Sequence, residues 1–107
     1  MYYLYEILVP TIRRDNGKPY RTKYHKVWDQ KVIDICKDNP HPGLTVTHPS
    51  KGQWIHKGQN FNERMIPVRI LCTKQQIEAI AEFSGKYYDQ LAIMYYLVSS
   101  EVTIKLF

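Results

Sequence analysis

The chain has 107 residues, of which 44% are hydrophobic and 23% charged, as is typical of one globular domain. Five glycines and six prolines are too few for a collagen-like or disordered chain, and no uncharged apolar run approaches the length of about 18 residues needed to cross a membrane. The net charge of +5 permits an anionic partner without requiring one. We expect a single soluble, cytoplasmic α+β domain over residues 1–107.

The N-terminal third predicts a strand, a loop and a helix. Aromatic and branched residues from Tyr2 to Val9, closed by Pro10, indicate a first strand. Residues 11–20 are rich in turn formers and predict an exposed loop. Thr22 is the predicted N-cap of a helix that runs to about Lys37. Its predicted core face consists of Trp28, Val32, Ile35 and Cys36.

The middle of the chain predicts extended structure. Prolines and a glycine in residues 38–43 stop the first helix, and a strand is expected from Leu44 to about His48. A hairpin follows, with Gln53–His56 opposite the long stretch Phe61–Cys72. Because proline cannot donate a ladder hydrogen bond, Pro67 is expected at a sheet edge or in a bulge.

The last third predicts a second helix and two strands. Thr73 and Gln76 have the spacing of a capping box, which opens a helix to about Tyr88. The predicted buried stripe of this helix consists of Ile77, Ile80, Ala81, Ser84 and Tyr88. Strands are expected at Leu91–Val98 and Glu101–Phe107, joined in a hairpin at Ser99-Ser100.

The element order, read as β-α-β-β-α-β-β, predicts a ferredoxin-like plait with one extra C-terminal strand. Such a fold is an antiparallel sheet with both helices on one face. Because the other face is then open and the chain holds nine tyrosines, we expect a homo-oligomer, with a dimer as the first hypothesis. The alternative use of those tyrosines is base stacking in a nucleic-acid-binding protein.

A pattern along the chain resembles one found in small bacterial and phage α/β-plait proteins of unknown function. It consists of Gly43-Leu44-Thr45-Val46, Gly52-Gln53-Trp54, Glu63 and Asp89-Gln90. The resemblance implies the plait fold but no reaction or ligand. The chain departs from the pattern in the longer lead-in of residues 36–42 before Gly43.

The densest basic segment is a candidate anion-binding site. It contains Arg13, Arg14, Lys18, Arg21 and Lys23. Basic residues at the start of a helix oppose its dipole, and a bound anion would relieve that cost. The alternative is a solvated loop, and no glycine-rich phosphate motif is present.

Two further sets of residues are weaker candidates. His25, Trp54 and Glu63 could line a pocket beneath the first helix, or could simply be packed. Strand alternation could gather Glu6, Arg69 and Lys105 on the open face as a polar cluster, or as a surface ion pair.

The four histidines match no zinc motif, so no metal or other cofactor is expected. Cys36 and Cys72 are expected to be reduced residues of the core rather than a disulfide.

The leading hypothesis is a self-associating, non-enzymatic binding protein. Its basic loop would engage a nucleotide-like molecule or an acidic protein. The rivals are a nucleic-acid-binding protein and a small plait-type enzyme.

Overall fold

The protein forms one antiparallel sheet covered by two helices. The computed structural model gives the backbone of residues 1–107 and describes every side chain except those at positions 52, 54, 56, 61 and 62. The strands are β1 (Tyr3–Pro10), β2 (Leu44–Val46), β3 (Ser50–His56), β4 (Gln59–Cys72) and β5 (Tyr95–Ser99). The helices are α1 (Thr22–Ile35) and α2 (Lys74–Tyr87). The strand order is β2-β4-β1-β5, with β3 also paired to β4, which confirms the ferredoxin-like plait.

The core fills the space between the sheet and the helices. Alternate residues of the two central strands enter it, since Ile7 pairs with Val68 and Tyr5 with Ile70, and all four are buried. The helices contribute the buried side chains of Trp28, Val32, Ile77, Ile80 and Tyr88. The intervening strand residues, among them Leu8 and Met65, face the opposite way. We call this second side of the sheet the open face.

The boundaries of α1 differ from the prediction. The N-cap is Arg21 rather than Thr22, and no side chain caps the first turn. The helix ends at Ile35, two residues before the predicted end, and Ile35 itself is only half-buried. The Cys36 amide donates hydrogen bonds to the carbonyls of Val32 and Ile33 as the helix ends.

The capping box of α2 is confirmed. The Gln76 amide donates to Oγ1 of Thr73 at 3.1 Å, and the Thr73 amide donates to Oε1 of Gln76 at 2.9 Å. Ile77, Ile80 and Ser84 are buried, as the predicted stripe requires. Two donors at the helix start are therefore satisfied by local sequence alone.

The predicted hairpin is confirmed, with Lys57 and Gly58 at its turn and positive φ values of 50° and 77°. Pro67 lies in the interior strand β4, without a register shift against β1, so the predicted edge or bulge is wrong. It sits where the neighbour of β4 changes from β2 to β3. Its carbonyl accepts from the Thr47 amide at 3.1 Å, and proline leaves no N–H unpaired at this break.

The β3–β4 hairpin extends beyond the rest of the sheet. Strand β1 pairs with β4 only from Met65 to Cys72, whereas β3 pairs with residues 59–65 of β4. Residues 51–56 and 59–64 therefore form a two-stranded arm that projects past the end of β1.

The extra C-terminal strand is not formed. Residues 91–94 lie outside any strand, and residues 100–107 follow β5 without ladder pairing. The Ser99 hydroxyl donates to the Glu101 carbonyl at 2.8 Å and accepts from the Glu101 amide at 3.0 Å, so a side chain shapes this turn rather than a hairpin. The additional strand of the plait is instead β3, in the middle of the chain.

Cys36 and Cys72 are buried in the core and are not joined in a disulfide. Neither helix of the described chain combines the length and apolar character that a membrane crossing requires.

Candidate functional site

An apolar pocket of about 380 Å³ opens on the open face, where the arm meets the rest of the sheet. Glu63 and Met65 reach it from alternate positions of β4, and Leu8 reaches it from β1. The loop before β5 closes the other side. The full lining is Leu8, Gln53, Glu63, Met65, Ala92, Ile93, Met94 and Tyr95. We call it the Glu63 pocket.

The carboxyl group of Glu63 is the unusual feature of this pocket. Its Oε2 atom is buried and has no hydrogen-bond partner among the described residues. Burial raises the pKa of this carboxyl group, because ionisation is costly away from water. An unsatisfied buried carboxyl in an otherwise apolar cavity is energetically unfavourable for folding, which makes it a candidate ligand-binding group.

The predicted grouping of His25, Trp54 and Glu63 beneath α1 is wrong for the residues that can be compared. Glu63 lies on the open face, because strand alternation turns it away from the helices. His25 lines a separate cavity of about 100 Å³ beside Trp28 and Asp29. The side chain of Trp54 lies outside the described residues.

His25 is held on the helical side of the sheet. Its Nδ1 atom lies 2.7 Å from the Tyr88 hydroxyl, whose ring is fully buried. Burial lowers the pKa of His25, and the carboxylate of Asp29 partly opposes this shift. The pair links α1 to the end of α2, and neither residue lines the Glu63 pocket.

The basic loop is a compact turn. The Arg13 amide donates to the Lys18 carbonyl at 2.7 Å, and the Gly17 amide donates to the Arg13 carbonyl at 2.9 Å. Gly17 adopts a φ of 68°, which other residues reach at a steric cost. The Lys18 amide donates to Oδ1 of Asn16 at 2.9 Å.

Four of the five predicted anion-binding residues line one cavity of about 430 Å³. They are Arg13, Lys18, Arg21 and Lys23. Arg14 does not line it. Its Nε donates to the Asp89 carbonyl at 2.9 Å, and its Nη2 lies 3.3 Å from the Asp89 carboxylate. Arg14 therefore ties the loop to the segment after α2.

Four of the nine tyrosines pack against one another away from the open face, where a tyrosine-rich surface was expected. Tyr20 and Tyr24 stack with ring centroids 4.9 Å apart, and Tyr24 stacks on Tyr87 at 4.1 Å. Tyr88 packs edge-on against Tyr20. These four rings form a cluster on the helical side, next to the basic loop.

Two of the three residues of the predicted polar cluster are brought together. Arg69 Nε donates to Oε1 of Glu6 at 3.1 Å, between directly paired residues of β1 and β4. The Glu6 side chain is 10% exposed, whereas that of Arg69 is 47% exposed. Lys105 lies elsewhere, with Nζ 5.6 Å from the ring centroid of Phe107.

Among the described residues, no three His, Cys, Asp or Glu side chains are placed to hold a metal ion together. The contribution of residues 92–95 to the Glu63 pocket was not predicted from the sequence. Alternation along β4 pairs Glu63 with Met65 on one face, but the approach of the loop before β5 depends on tertiary packing.

No protein-family model and no curated protein matches the chain. Solved structures share its fold. The divalent cation tolerance protein CutA1 from Thermus thermophilus has a TM-score of 0.65 and 8% identity, over 96% of this chain and 88% of that one. The periplasmic divalent cation tolerance protein CutA from Archaeoglobus fulgidus also has a TM-score of 0.65 and 8% identity, over 98% and 89%.

A phage SAM lyase, solved in complex with S-methyl-5′-thioadenosine, is also similar. Its TM-score is 0.64 at 16% identity, over 92% of this chain and 81% of that one. At these identities the likeness concerns the fold alone.

Proposed function

We propose that this protein is a small plait-type enzyme. It binds S-adenosylmethionine in the Glu63 pocket and cleaves its sulfonium without adding water, releasing S-methyl-5′-thioadenosine. The observation that carries the proposal is the buried Oε2 atom of Glu63, which has no hydrogen-bond partner among the described residues. A buried carboxylate is stabilised when a cation is placed against it.

The class of ligand follows from the combination of one negative charge and an apolar lining. A sulfonium carries a positive charge on an atom that is surrounded by carbon and has no N–H or O–H groups. Leu8, Met65 and Met94 provide apolar contacts for such a centre. A volume of about 380 Å³ lies in the usual range for small-molecule sites.

The likeness to the phage SAM lyase supports the reaction class by analogy of fold. The CutA proteins are named for divalent cation tolerance, but this chain gives less support to such a role. Glu63 is the one acidic residue among the described side chains that line the pocket, and divalent cations prefer several oxygen ligands.

The proposed reaction needs little acid–base catalysis. A carboxylate oxygen of the substrate itself attacks the methionine Cγ as the bond between sulfur and Cγ breaks. The electron pair of that bond goes to sulfur, so the products are the neutral thioether S-methyl-5′-thioadenosine and homoserine lactone. The positive charge of the sulfonium and the negative charge of the carboxylate cancel in this step, and apolar surroundings favour such a cancellation. Glu63 binds and orients the cation, and Leu8 and Met65 contact it with apolar side chains.

The test is to incubate the full chain with S-adenosylmethionine and measure S-methyl-5′-thioadenosine by mass spectrometry against a protein-free blank. We expect formation above the blank, and a loss on the order of a hundredfold in Glu63→Gln at subsaturating substrate, because the bound cation loses its charged partner. Glu78→Gln, at an exposed position of α2, is the matched control and should retain activity. Product at blank level, or equal rates in Glu63→Gln, would overturn the proposal.

We also propose that the chain assembles as a homo-oligomer, with a dimer as the first expectation. The support is the concentration of exposed apolar residues in the last part of the chain. Tyr96, Leu97, Val98, Val102, Ile104, Leu106 and Phe107 are all exposed in the isolated chain. Large apolar side chains exposed in such number within one stretch of the chain are typical of a surface that binds another protein. A single monomeric species in sedimentation velocity at tens of micromolar protein would contradict the assembly.

The sequence resemblance to small phage and bacterial proteins stays a proposal. Nucleic-acid binding has less support than it had from sequence, since the clustered tyrosines are packed against one another rather than spread over the open face. The basic loop is a separate candidate for an anionic partner.

A further inference from the structure

The cavity beside the basic loop combines cations with an aromatic wall. It has a volume of about 430 Å³ and opens between the loop, the start of α1 and the end of α2. Lys18, Arg21 and Lys23 surround it, and Tyr20, Tyr24 and Tyr87 are part of its wall. We call it the basic cavity. It shares no lining residue with the Glu63 pocket.

The charge of the basic cavity is poorly balanced by the protein itself. Asp15 is the only acidic residue between positions 11 and 28, and Arg13 already pairs with it at 3.2 Å. Within the described residues, Lys18, Arg21 and Lys23 make no ion pair. Three cations that converge on a concave surface create a positive potential that attracts an anion.

The aromatic wall has no free hydrogen-bonding groups of its own. The hydroxyl groups of Tyr20 and Tyr24 donate to the carbonyls of Tyr88 and Tyr87, and the Tyr87 hydroxyl donates to the Tyr24 carbonyl. These bonds fix the rings in place. The cationic side chains and the amide of Asn16 are therefore the polar groups left to recognise a ligand, and the wall supplies a rigid apolar side to the cavity.

We propose that the basic cavity binds a small phosphate-bearing ligand with more than one negative charge. Phosphate oxygens accept hydrogen bonds from several cations at once, which suits three unpaired basic side chains around one space. The volume of this open cavity, about 430 Å³, suits a small molecule such as pyrophosphate or a nucleoside diphosphate. The proposal does not depend on the reaction assigned to the Glu63 pocket.

The test is isothermal titration calorimetry of the full chain with pyrophosphate and, separately, with ADP, both at physiological ionic strength. A Lys18→Gln, Lys23→Gln double variant should weaken binding of either probe by about 10- to 100-fold. Lys26→Gln is the matched control, because Lys26 is an exposed cation on α1 that does not line the cavity. The control should change the affinity by less than about twofold.

Tighter binding of ADP than of pyrophosphate would identify the nucleotide as the ligand class, and equal affinities would identify the phosphates as sufficient. Either result supports the site if the double variant loses binding and the control does not. Two outcomes would overturn it. They are no heat of binding with millimolar probe, and equal losses in Lys26→Gln and the double variant. Unchanged circular dichroism and melting temperature would show that the double variant is folded.

Discussion

The indole Nε1–H of Trp28 donates a 2.8 Å hydrogen bond to Oγ of Ser84, joining α1 to α2 inside the core. Both residues are 1% exposed. The Ser84 hydroxyl donates in turn to the Ile80 carbonyl at 2.6 Å. The serine therefore satisfies a buried donor, and it belongs to the packing of the two helices.

Ser84→Ala should leave the Trp28 N–H buried without an acceptor. We expect a loss of about 1–3 kcal/mol in the free energy of unfolding, measured by urea denaturation. Ser100→Ala, at an exposed position, is the control and should be neutral. Equal stability of the two variants would mean that water or another group reaches the indole.

Ile77→Ala should destabilise the fold by about 2–5 kcal/mol, because it removes a fully buried side chain and leaves a cavity under α2. Ile33→Ala removes the same atoms from an isoleucine of α1 that is 38% exposed, and should cost much less. Thermal and urea unfolding of both variants measure the difference. Comparable losses would show that the buried face of α2 is misassigned.

Glu63→Gln should change how stability depends on pH. The raised pKa of Glu63 means that the folded state holds the proton more tightly than the unfolded state does. This contribution is complete below about pH 4, where unfolded glutamate is protonated, and is lost as pH rises through the folded pKa. The glutamine variant should match the wild type at low pH and exceed its stability near neutrality.

The pH experiment compares urea unfolding of wild type and Glu63→Gln at several pH values. Glu78→Gln provides the exposed control and should show no such pH-dependent gain. A glutamine variant that is less stable than wild type near neutral pH would show that the carboxylate has a partner in the folded protein.

Arg14 and Lys23 should behave differently when each is replaced by glutamine. Arg14→Gln removes the contacts to Asp89 and should cost up to about 1 kcal/mol, since both side chains are largely exposed. Lys23→Gln should be neutral or slightly stabilising, because Lys23 lies in the first turn of α1 and opposes the helix dipole. A double-mutant cycle with Asp89→Asn measures the Arg14 contribution. A reversed order of the two effects would contradict the structure.

Local sequence patterns predicted the features that depend on interactions between residues close together in the chain. The Thr73–Gln76 spacing located the start of α2, and alternation placed Glu6 and Arg69 on the same face of the sheet. The C-terminal segment shows the limit of such patterns. Apolar and polar residues alternate in Glu101–Phe107 as they do in a strand. A strand also needs a neighbouring strand to pair with, and the sequence of this segment does not show whether one is available.

The candidate sites show the same difference between residues that are close in sequence and residues that only the fold brings together. The cations of the basic loop were visible in sequence because they are close neighbours along the chain. The lining of the Glu63 pocket joins residues 8, 63 and 94, which only the folded topology brings together. Arg14 was grouped with the other cations because its partner Asp89 is 75 positions away.

The projecting arm has a consequence for how the Glu63 pocket responds to a ligand. An isolated two-stranded ribbon is only marginally stable in water, and residues 59–64 pair with β3 alone. Glu63 belongs to this arm, whereas Leu8 and Met94 across the pocket belong to the main sheet and the loop before β5. A ligand that contacts both sides would bind the ordered arm in preference to the opened one, so binding and arm opening are thermodynamically linked. Backbone amides of the arm should then exchange with deuterium more slowly when the pocket is occupied, while those of α2 keep their rates.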